Sequence, residues 1–85
     1  MSYRAPLTVK AEELNQMRNR GLVMIKYADM ELEGTIGEII LAGNDAREFG
    51  SFDFHLTDEC KQKYPDVEIP TNFSAFEIEG IKSSR

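Results

Sequence analysis

The chain has little of what would announce a chemistry. Its 85 residues include one cysteine, Cys60, and one histidine, His55. A single thiol excludes an internal disulfide and fits a reducing compartment, so a cytoplasmic location is expected. One imidazole with scattered acids falls short of the ligand set a metal needs, and no motif asks for a cofactor. No apolar run approaches the ~20 residues of a membrane span. The N-terminus also lacks the basic-then-apolar layout of a secretory signal, so no membrane contact is expected. Internal repeats and low-complexity segments are missing too. At this length the chain reads as one domain, near the lower limit of what one core supports unaided.

Basic charge is scarce where it would matter for nucleic acid. The net charge is −5, but it is unevenly spread. Residues 1–26 carry five basic and two acidic side chains, a balance of +3, and residues 27–79 carry three against thirteen, a balance of −10. Lys82 and Arg85 follow. Binding along a phosphate backbone needs a basic footprint. The main body has none, so nucleic acid is not the expected partner.

What is present centres on residues 22–42, LVMIKYADMELEGTIGEIILA. Leu22, Val23, Met24 and Ile25 form a short apolar run. After the break at Ala28 and Asp29, apolar residues recur at Met30, Leu32 and Ile36, with Glu31, Glu33 and Thr35 between them. Period two marks a strand with one buried face. Beyond Gly37 the apolar set moves to Ile39 and Leu41, which an unbroken pleat would turn to solvent. A β-bulge at Gly37 restores the phase and bends the strand, with Gly34 as a second point of close approach. The segment is therefore a β-hairpin with a bent second strand.

The flanking segments supply cover. Residues 1–7 read as a loose arm. Thr8 is the expected N-cap of a helix over 9–20, with Glu12 and Glu13 in its first turn, Arg18 and Arg20 in its last, and Gly21 beyond. Ala11, Leu14 and Met17, joined by Val9, form its apolar stripe. Residues 43–50 (GNDAREFG) read as a turn-rich loop with Phe49 tucked beneath it. Residues 51–57 alternate as a strand, with Phe52, Phe54 and Leu56 inward and Asp53 and His55 outward. Asp58 caps a helical turn through Lys63. Residues 66–72 offer an edge strand through Val67 and Ile69, and residues 75–81 a last strand with Phe76 and Ile78 on one face. Residues 82–85 read as a frayed tail. The sum is an α+β fold: an N-terminal helix, then a strongly bent, mostly antiparallel sheet or small barrel of four to five strands over residues 22–81.

Glu31 to Ile40, ELEGTIGEII, resembles the second-strand region of small SH3-like barrels of the KOW type, found in transcription and translation proteins. The matching residues are Gly34, Gly37, Ile39 and Ile40. The resemblance implies a barrel. Glu33 and Glu38 stand where such modules carry basic residues, so it does not extend to RNA binding.

Candidate site residues are few. His55, with Asp53 on the same face, is the one candidate general base, but an ordinary surface histidine is the simpler reading. Cys60 lies among Asp58, Glu59 and Lys61, poor surroundings for an activated thiol. Glu31, Glu33, Glu38, Glu77 and Glu79 fall on outward strand positions and would build an acidic face. That face suits a partner protein with a basic surface, or it simply keeps sheet edges apart. Tyr3 and Arg4 have no local cover, so the arm is a second contact. Arg4, Lys10, Arg18, Arg20 and Lys26 are the residues a nucleic-acid-associated SH3-like module would use. Phe49, Phe52, Phe54, Phe73 and Phe76, with Tyr27 and Tyr64, are in core phase. The leading expectation is a non-enzymatic protein-interaction module, such as an adaptor, small subunit or inhibitor. So small a core also leaves room for strand-edge pairing into a homo-oligomer.

Overall fold

The computed structural model describes residues 2–43 and 45–84. Helix α1 (Ala11–Arg20) is followed by strands β1 (Leu22–Tyr27), β2 (Met30–Ala42) and β3 (Asp45–Leu56). A short helix α2 (Asp58–Lys63) and strands β4 (Asn72–Ser74) and β5 (Gly80–Ser83) complete the chain. The five strands form one sheet in the order β4-β3-β2-β1-β5, and every pairing is antiparallel. The fold is α+β.

The hairpin forms where the alternation places it. Tyr27 pairs with Met30, leaving Ala28 and Asp29 as a two-residue turn with φ of +48° and +65°. Two positive φ values define a type I′ turn, whose twist matches that of the strands it joins. Strand β2 then buries Leu32, Gly34 and Ile36. Ile36 pairs with Phe54 and Ile39 with Phe52, so Gly37 and Glu38 together oppose Asp53. The bulge falls at the expected glycine. It turns Ile39 back toward the core, where it packs against the buried cluster.

Of the glycines, Gly34 has the tightest surroundings. A Cβ there would lie 2.2 Å from the carbonyl oxygen of His55 and 2.9 Å from Cε2 of Phe54. The resulting curvature gathers the aromatic side chains. A flat sheet spaces strands ~4.8 Å apart, so β1 and β4 would be ~14 Å from each other. Yet the Tyr27 ring meets Phe73 edge-on, with centroids 5.0 Å apart. Phe54 and Phe52 approach the same ring at 6.1 and 6.3 Å. Against this surface α1 lays Ala11, Leu14 and Met17, all buried as their spacing predicts.

Several boundaries differ from the sequence reading. The helix starts at Ala11, because Thr8 closes a 3-10 turn (Pro6–Thr8) and its hydroxyl bonds Ala5 O at 2.6 Å. Val9 is extended, and Lys10 holds the N-cap position. The cap of α2 is Thr57, which accepts from Cys60 N at 3.2 Å, rather than Asp58. The expected loop over 43–50 is strand from Asp45 onward. Irregular pairing with β2, shifted at Ile40 and again at Leu41, conceals its periodicity. Asn44 of the expected turn lies outside the described residues. Residues 66–71 form no strand, and the edge strand is β4. The expected tail is part of β5, with Ser83 buried against β1. Met1 and Arg85 lie outside the described residues. Finally, the sheet does not close into a barrel: β4 and β5 occupy opposite ends, and α1 covers the concave face where closure would occur.

Two stability changes follow. Gly34→Ala should cost about 2 kcal/mol or more, read as a lower denaturation midpoint, because backbone must move to admit the methyl group. Ala28→Asn combined with Asp29→Gly should raise stability by about 0.5–1 kcal/mol by relieving both positive-φ positions.

Candidate functional site

The five carboxylates expected to form one face are divided among three places. Glu31 and Glu33 lie on the outer face of β2, opposite Lys26 and Met24 of β1, and Met24 in turn opposes Lys82 of β5. The Tyr3 hydroxyl donates to Glu31 at 3.0 Å and the Ser84 hydroxyl to Glu33 at 2.8 Å. This row is mixed in charge and tied internally. Glu38 stands in the bulge itself, exposed. Glu77 and Glu79 are not on a strand, because the expected strand over 75–81 is broken by a turn at 75–77.

That turn is a rigid mount. Glu77 reaches back so that its carboxylate accepts from Ser74 N at 2.9 Å, while Glu77 N donates to Ser74 O at 3.1 Å. Ala75 N bonds Gly50 O at 3.2 Å, and Glu79 N bonds Lys26 O at 2.7 Å. Ala75 and Ile78 are buried on either side, while Phe76 between them is 85% exposed. Alternation alone had placed Phe76 inward. The missed signal is Ser-x-x-Glu at Ser74 and Glu77, the reciprocal capping pattern that stops an extended segment.

The N-terminal arm is docked rather than loose. Arg4 N donates to Ile81 O at 2.9 Å and Ile81 N to Arg4 O at 3.0 Å, so the arm covers the outer edge of β5. The Arg4 guanidinium pairs with Glu13 and donates to Thr8 O at 3.2 Å. This pairing lowers the Glu13 pKa below the usual carboxylate range. Tyr3 packs on Gly80, where a Cβ would lie 2.9 Å from its own Cβ. The Lys82 ammonium sits 4.5 Å from the Tyr3 ring centroid. Partial burial, then the hydrogen bond to Glu31 and that carboxylate's charge, push the Tyr3 pKa up to about 12.

The remaining candidates do not assemble. Lys10 pairs with Glu48, and Arg18 bonds Asn15 and the Gly37 carbonyl. Arg20 ends α1, and Lys26 faces Glu31 on the sheet. With Arg4 held by Glu13, these five residues form no single basic surface. His55 lines a cleft of about 190 Å³ with Phe54, Lys61 and Thr71. Cys60 is buried and borders a different cleft of about 270 Å³ with Glu31, Glu33 and Glu59. Among the described residues, no three His, Cys, Asp or Glu side chains are grouped to hold a metal ion. None of the described helices is long and apolar enough to cross a membrane.

No protein-family model, no curated protein and no solved structure matches the chain.

The arm contacts fix a pH dependence. A raised Tyr3 pKa means that its contribution to stability is complete below pH ~10 and is lost as pH rises through about 12. Glu13 acts in the opposite sense, contributing at neutral pH and losing that contribution as acid titrates its lowered pKa. In a phenolate absorbance titration, the step near pH 12 should vanish in Tyr3→Phe.

Proposed function

We propose that the protein is a small interaction module of the adaptor, small-subunit or inhibitor kind, which binds another protein in the cytoplasm and performs no catalysis. The observation that supports this reading is Phe76, 85% exposed on a turn held by four hydrogen bonds. Burying a phenylalanine side chain is worth about 1.5–3 kcal/mol. A pre-positioned aromatic loses little freedom on binding, which is the property of an interface anchor. Glu77 and Glu79 follow it in sequence, so the complementary surface is an apolar pocket with a basic border on one side. This places the acidic contact at the turn and leaves Glu31 and Glu33 to the internal network of the sheet. The bent β2, with Gly34 and Gly37, is the feature the proposal shares with SH3-like modules.

Capture of proteins from cytosol at moderate salt tests the reading. The wild type should retain a defined protein, Phe76→Ala should lose at least about tenfold of it while melting unchanged, and Glu79→Lys should slow association. Equal retention by Phe76→Ala would overturn the proposal.

A further inference from the structure

Two stretches of sheet edge are covered from within the chain, and a third is short. The arm covers β5 through the Arg4–Ile81 bridge. Helix α2 covers the start of β2: Cys60 Sγ accepts from Glu33 N at 3.4 Å, and the Tyr64 hydroxyl accepts from Glu31 N at 3.4 Å. The outer strand β4 is only three residues long. The second half of β2 is different. Strand β1 pairs with residues 30–35 and stops. Beyond it, among the described residues, β2 has a strand neighbour only on the β3 side. Arg18 occupies the Gly37 carbonyl. Residues 38–42, Glu-Ile-Ile-Leu-Ala, follow without the lysine, proline or inward charge that blunts natural edges. Ile40 is 50% and Leu41 47% exposed beside this edge.

We propose that this edge is the interface between two copies of the chain, paired antiparallel about a two-fold axis through Ile40. An isologous contact requires a surface complementary to itself, and the residue pattern here is symmetric. With Ile40 opposite its own copy, Ile39 meets Leu41 and Leu41 meets Ile39. Ile39 and Leu41 line one groove with Ala11, Asn15 and Arg18. Pairing therefore closes that groove in both copies while the two Ile40 side chains cover each other on the opposite face. Glu38 falls opposite Ala42, so no carboxylate faces another across the ladder. The result is one continuous ten-stranded sheet, twice the five of a single copy. This contact is separate from the Phe76 turn and does not depend on it.

Sedimentation velocity over a wide concentration range, with amide hydrogen exchange, tests the proposal. The wild type should pass from monomer to dimer as concentration rises, with amides of residues 38–42 gaining protection in the dimer. Ile40→Lys, at an exposed position, should leave the circular dichroism spectrum unchanged and weaken dimerisation at least about tenfold. Phe76→Ala should dimerise as the wild type does. A wild type that stays monomeric throughout, as a site for an extended segment of another protein would, overturns the proposal. So does a dimer indifferent to Ile40→Lys, or one abolished by Phe76→Ala.

Discussion

At Gly34 the backbones of β2 and β3 lie so close that hydrogen is the only side chain that fits. Much else in the molecule depends on that contact. It brings the inward rows of the two strands together, and the bulge three residues later bends β2 so that the rows curl. The curl carries Tyr27 on β1 and Phe73 on β4 to the same point, where Phe54 meets Phe73 edge-on and Phe52 meets it tilted. Edge-to-face contacts favour this arrangement beyond the area it buries. A chain of 85 residues has little apolar surface to spare, and curvature lets one helix cover most of what the sheet presents.

The same curvature creates the edges that must be managed. Staggered strands leave β2 longer than β1 on one side and longer than β3 on the other. At its start, a thiol and a phenol take the place of a neighbouring strand and accept its free amides. At β5 a single residue of the arm does so by its own backbone, held there by Tyr3 and Arg4. Arg4, Glu31 and Glu33, which look available in the sequence, are engaged within the molecule. Among the described residues, what stays exposed includes one phenylalanine on a braced turn and one bare stretch of strand.

The bent hairpin was legible because period-two alternation survives in β2 up to a glycine and resumes out of phase, which only an added residue explains. The helix stripe was legible for a similar reason, since Ala11, Leu14 and Met17 repeat at helical spacing. The failures share a cause. Residues 45–50 pair through register shifts, so their backbone pairing follows no simple period. Residues 75–81 do alternate, yet the Glu77 carboxylate caps Ser74 and ends the strand. Docking of the arm depends on Gly80, a residue more than seventy positions away, and no local pattern reports it. The single acidic face was divided with the strand that was to carry two of its five carboxylates.

The thiol of Cys60 is covered only because α2 lies along β2, and its sulfur is engaged by the Glu33 amide. Its burial makes alkylation slow while that short helix stays seated. The rate of thiol modification is therefore a native clock for one local opening, readable without any engineered probe. A bulky adduct would in turn keep the helix from reseating, and the first half of β2 would be left as bare as the second.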